Sequence, residues 1–101
     1  MHLNRIRPRL DKIYNEMITA ENFKFIENHE SKLAAIFLGE AGKIFEVPYE
    51  VSGNIGVYTY HHLQKQFFEI DLKLAPKFID KDLFIDWFAV QIKEGFDNLE
   101  K

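Results

Sequence analysis

The chain has 101 residues, 47 % of them apolar, 29 % charged and 15 % aromatic, which suits one hydrophobic core, is too short for two, and excludes a disordered chain. It contains no cysteine, so disulfide staples, thiolate catalysis and cysteine-ligated zinc or iron–sulfur sites are ruled out. The net charge of −3 is uneven: Arg5, Arg7, Arg9 and Lys12 against Asp11 make residues 1–12 basic and leave the rest near −6, an acidic body that repels nucleic-acid phosphates and suits a basic protein partner.

The apolar stretches are far shorter than the roughly 20 residues that cross a bilayer, and the start lacks a signal-peptide hydrophobic region. A cytoplasmic protein with no membrane contact is the expectation. Richness in Phe, Ile, Lys and Asn is the composition of an AT-rich genome, bacterial or phage.

Leu10, Ile13, Tyr14, Met17 and Ile18 recur at i, i+3, i+4, i+7 and i+8, the stripe of a helix over about residues 6–20, with Pro8 tolerated near its first turn. After Asn22 the period changes to 2, and Phe23 to Glu27 reads as a short strand with Phe23 and Phe25 on one face. The unbroken run Leu33 to Leu38 reads as a strand covered on both faces, and Gly39-Glu40-Ala41-Gly42 as the turn that follows. In Lys43 to Val51, Phe45, Val47, Tyr49 and Val51 alternate with Glu46, Pro48 and Glu50, while Pro48 places this strand at an edge or a bulge.

Ser52-Gly53-Asn54 is the strongest hairpin signal, followed by a strand from Ile55 to His61. Phe68, Ile70, Leu72 and Leu74 alternate with Glu69, Asp71 and Lys73 as a fifth strand, although Leu63, Phe67, Ile70 and Leu74 also fit a helical period over residues 61–74. Asp80 caps a second helix over about residues 81–99, with Ile79 and Phe84 at the spacing of a hydrophobic staple. The expected architecture is one α+β domain over residues 1–101. It is a five-stranded antiparallel meander flanked by an N-terminal and a C-terminal helix, in the order α-β-β-β-β-β-α.

Leu83, Phe84, Ile85, Trp87, Phe88, Ala89, Val90, Ile92, Phe96 and Leu99 fill most of the second helix's circumference, more than one sheet face can cover. Either the first helix covers the surplus, or another chain does, which makes Phe84, Trp87, Phe88 and Ile92 candidate interaction residues for a homodimer or a partner protein. Tyr58, Tyr60 and His62 share a strand face by parity, opposite His61. These four offer a ligand or partner face, against the plainer reading of a packed aromatic stripe and a histidine pair beside a turn. Arg5, Arg7 and Arg9 offer a small basic arm, against a frayed solubilising terminus.

Glu46, Glu50, Glu69 and Asp71 follow from alternation on half-exposed strands, and Asp80, Asp82 and Asp86 lack the glycine turn and closing glutamate of a calcium loop. The glycines form no phosphate-binding fingerprint, and no catalytic, cofactor or metal residue is assigned. The functional expectation is a small non-catalytic protein-binding module of adaptor, inhibitor, immunity or chaperone type, dimerising through the C-terminal helix. One alternative is a small-molecule or enzymatic site between sheet and helices, with Tyr58, Tyr60, His61 or His62 as its polar groups. A weaker alternative is nucleic-acid contact through the basic arm.

Overall fold

The first helix, α1 (Leu3–Thr19), begins three residues before the expected start and buries Ile6, Leu10, Ile13, Tyr14 and Met17 along one stripe. The computed structural model describes residues 2–61 and 66–99, with Tyr60 and His61 described as backbone only. Pro8 falls in the second turn of α1, where it cannot donate to the carbonyl of Asn4, and that turn faces solvent. Ile18, expected on the core stripe, is exposed.

A single helical turn, α2 (Phe23–Ile26), stands where the first strand was expected. Its spacing explains the change: Phe23 and Ile26, at i and i+3, both pack on the core, whereas Phe25 is 82 % exposed. The second expected strand belongs to a long helix, α3 (Glu30–Ile44). Of its buried residues, Leu33, Ala34, Phe37, Leu38, Ala41 and Gly42 recur at i, i+1, i+4, i+5, i+8 and i+9, a helical stripe beside which Gly39 is also buried. The intervening Ala35 and Ile36 are half-buried, so the run looked uniformly apolar.

Three strands follow, β1 (Tyr49–Ser52), β2 (Ile55–His61) and β3 (Gln66–Asp71), paired antiparallel in the order β1-β2-β3. The expected five-stranded meander is therefore corrected to a three-stranded antiparallel sheet among four α-helices in the described residues. The α+β character and antiparallel pairing stand. Residues 66–71 are extended rather than helical; Leu63 and its neighbours to Lys65 lie outside the described residues. After Asp71, Leu72–Leu74 form a 3-10 turn in place of the last part of the fifth strand.

The hairpin lies where it was expected. Gly53 has φ +60 and Asn54 does not share that sign, so the turn has its positive φ at the first central position, as in type II′. Pro48 sits just outside edge strand β1 and extends the pairing through its carbonyl, which accepts from the Thr59 N–H at 2.8 Å.

The last helix, α4 (Lys81–Leu99), has the expected bounds and packs against α1, α3 and β3. Its Phe84 and Phe88 rings meet Phe37 of α3 edge-on at 4.9 Å each, and Phe96 meets Phe68 of β3 edge-on at 5.1 Å. Along another side α1 runs antiparallel to it, pinned by Arg7–Asp86 at 2.6 Å and Asp11–Lys81 at 2.9 Å. Both pairs are solvent-exposed, so they set register and contribute at most about 1 kcal/mol each. Most of the wide apolar arc of α4 is thus covered from three sides within the chain, while Leu83 and Val90 stay exposed.

Candidate functional site

Among the described residues, helices cover only one face of the sheet. Gly56, Tyr58 and Ile70 are buried on that face, and a Cβ at Gly56 would lie 2.0 Å from Leu38 Cδ1, so β2 packs directly onto α3. Tyr58 is 0 % exposed and donates its hydroxyl to the Leu38 carbonyl at 2.8 Å; burial pushes its pKa far above the ordinary tyrosine value. Tyr58 is therefore a satisfied core side chain and not part of an open ligand face. The side chains of Tyr60 and His61, and the whole of His62, lie outside what is described.

Where the small-molecule cleft was expected, the rings of Phe37, Tyr58, Phe68, Phe84, Phe88 and Phe96 pack edge-on or tilted against one another. Open hollows lie between helices and also between α3, the hairpin turn at Asn54 and the segment after β3. One of about 310 Å³ is bounded by Tyr14, Ile18, Phe23, Leu33, Phe78 and Ile79, with Glu27 and Asn28 on its wall. Among the described residues there is no group of three or more metal-ligating side chains and no buried side-chain polar atom lacking a partner. No described helix is long and apolar enough to cross a membrane.

Of the C-terminal helix residues expected to bind a partner, Phe84, Phe88 and Ile92 are each 0 % exposed. Trp87 is half-buried, packed on the core and edge-on to Phe88. Phe84, Phe88 and Ile92 therefore serve the core and Trp87 packs against its edge, while Leu83 and Val90 are the members of the arc left exposed. The arginines are not an arm: Arg5, Arg7 and Arg9 lie in α1, where Arg7 pairs with Asp86 and Arg9 stands 5.7 Å over the Phe45 ring. Arg5 makes no ion pair among the described residues.

The outer face of the sheet is the feature that alternation alone left unassigned. Cross-strand register places Glu50, Val57 and Glu69 in one row, Ser52, Ile55 and Asp71 in the next, and Thr59 with Phe67 in a third. An antiparallel sheet facing water normally turns polar side chains outward. Here Phe67 is 53 % exposed and Ile55 42 %, with Val57 half-buried between them, and Phe67 lies diagonal to Val57 within aromatic reach. The signal was present in the alternation, since residues opposite the buried Gly56, Tyr58 and Ile70 and the half-buried Phe68 had to point outward. No protein family, curated protein or solved structure matches this chain.

Proposed function

We propose that this chain is a non-catalytic protein-binding module whose docking surface is the open face of the sheet. One observation carries the reading: Ile55, Val57 and Phe67 form a contiguous apolar patch on a sheet face that no helix covers. Exposed single apolar residues are ordinary, but an aromatic and two β-branched side chains adjoining across two strands offer the apolar centre and polar rim typical of interfaces. The aromatic core, and the absence among the described residues of any group of three or more metal-ligating side chains, favour recognition over chemistry.

Affinity capture tests it, comparing the wild-type chain with Ile55→Thr/Phe67→Thr. Threonine keeps the strand preference while removing the apolar contact, so the variant should unfold within about 0.5 kcal/mol of the wild type. A protein retained by the wild type and lost from the variant is the expected result. Identical retention by both would exclude the sheet face as the docking surface.

A further inference from the structure

We propose that the partner seated on this face is basic: a protein segment whose apolar side chains cover Ile55, Val57 and Phe67 while its lysines or arginines pair with Glu50, Glu69 and Asp71. This rests on the docking reading above and adds the chemistry of the occupant.

The register supplies the geometry. Glu50 and Glu69 flank Val57 from the two neighbouring strands, and Asp71 stands beside Ile55 in the adjoining row. Each carboxylate therefore borders the apolar centre. Among the described residues, none of the outward positions is lysine or arginine, and the ion pairs Arg7–Asp86, Asp11–Lys81, Glu40–Lys43 and Lys93–Asp97 all lie on helices. Asp71 accepts a neutral backbone donor, the Lys73 N–H at 3.1 Å. Those four pairs join charges on the helices, whereas the described open sheet face carries three carboxylates and no lysine or arginine.

That charge selects among occupants. A second copy docked face to face would oppose like carboxylates across a desolvated interface, which is strongly unfavourable, and nucleic-acid phosphates are repelled. A cationic segment converts both costs into attraction. Three strands at about 4.8 Å spacing give a face about 10 Å across, and six residues of strand give about 20 Å of length. That is the footprint of one amphipathic segment.

Peptide-display selection against the immobilised full chain, with random segments of about 16 residues and Ile55→Thr/Phe67→Thr as counter-selection, reads the occupant's chemistry directly. Selected sequences should interleave lysine or arginine with aliphatic or aromatic residues and shift the amides of Ile55, Val57, Phe67 and Glu69. They should lose about tenfold in affinity between roughly 50 and 300 mM salt, and a further ~10-fold or more on Glu50→Lys/Glu69→Lys. Neutral or acidic winners, or indifference to charge reversal, overturn the basic occupant and leave the docking face standing. A selection that returns nothing specific to the wild-type face overturns the docking reading itself. A concentration-dependent dimer abolished by Phe67→Thr assigns the face to a second copy and overturns the proposal.

Discussion

Tyr14 lies stacked on Phe78, with ring centroids 4.4 Å apart, and donates its hydroxyl to the Phe78 backbone carbonyl at 2.8 Å. The Phe78 N–H is held as well, donating to the Glu30 carboxylate at 2.6 Å. A loop residue is thus fixed to α1 and α3 at once, with its ring, 1 % exposed, also edge-on to Phe37 and Phe84. Removing that ring by Phe78→Ala should cost about 3–5 kcal/mol, the usual penalty for deleting a buried aromatic. Tyr14→Phe keeps the stack but leaves the buried carbonyl unpaired, for about 1–2 kcal/mol. Urea unfolding measures both, and a neutral Tyr14→Phe would show that the hydrogen bond contributes nothing.

Stability should fall at alkaline pH because of two tyrosines. Burial raises the Tyr58 pKa, assisted by nearby Tyr49, and burial followed by the charges of Glu30 and Asp80 raises that of Tyr14. A raised folded-state pKa means that the folded chain holds its proton more tightly than the unfolded one. The associated stability is complete below about pH 10, where unfolded tyrosine titrates, and declines as pH rises beyond it. Tyr58→Phe should flatten that decline. At neutral pH it should cost only about 0.5–1.5 kcal/mol, because the Leu38 carbonyl keeps its helical partner. Urea midpoints followed from neutral pH to about pH 11 test this, and an unchanged alkaline slope in the variant would remove Tyr58 as the cause.

The parts of the fold that were legible in the sequence are those where one local signal acted alone. The α1 stripe, the α4 arc and the turn at Gly53 each carry an unmixed pattern, and each formed near its expected bounds. The middle of the chain mixed two signals. Leu33 to Leu38 had a helical stripe hidden among further apolar residues, and Gly39 and Gly42 suggested a turn although they lie within α3. Those glycines serve a tertiary contact: a Cβ at Gly42 would stand 2.7 Å from Tyr49 Cδ1 and 3.2 Å from Tyr58 Cε1. Close approach of a sheet to a helix is a long-range demand that a local reading takes for chain reversal. The partner residues were misplaced for a related reason. An apolar arc on α4 does not reveal how many neighbours surround it, and reading α3 as strand removed one of them.

Glycines inside helices should divide by what their neighbour can do. At Gly95 a Cβ would stand 2.2 Å from Phe68 Cδ2, in a ring wedged edge-on against both Tyr58 and Phe96. Gly95→Ala should therefore destabilise by about 1–3 kcal/mol despite alanine's better helix propensity. At Gly39 the Cβ would stand 3.1 Å from Tyr49 Cε2, and that tyrosine is 39 % exposed and free to give. Gly39→Ala should be neutral or stabilising by up to about 1 kcal/mol. Thermal unfolding of the two variants gives opposite signs if these contacts are right, and equal losses would mean that helix–sheet spacing is rigid at both ends.

The end of α3 carries the clearest opportunity for stabilisation. The Val47 N–H donates to the Gly42 carbonyl at 3.0 Å and the Glu46 N–H to the Lys43 carbonyl at 3.2 Å, the paired bonding of a Schellman ending. That motif requires a left-handed residue, and Glu46 fills the position with φ 56. A side chain there is strained where glycine is not, and a carboxylate beside the negative end of a helix is repelled by the remaining carbonyls. Glu46→Gly relieves both effects, at the cost of extra freedom in the unfolded chain. The net gain should be about 0.5–1 kcal/mol, with Glu46→Asn gaining less because asparagine only tolerates the conformation. Urea midpoints at low and high salt separate the two contributions, since salt screens the charge and leaves the strain untouched. A destabilised Glu46→Gly would mean that the carboxylate makes a compensating contact outweighing its strained backbone.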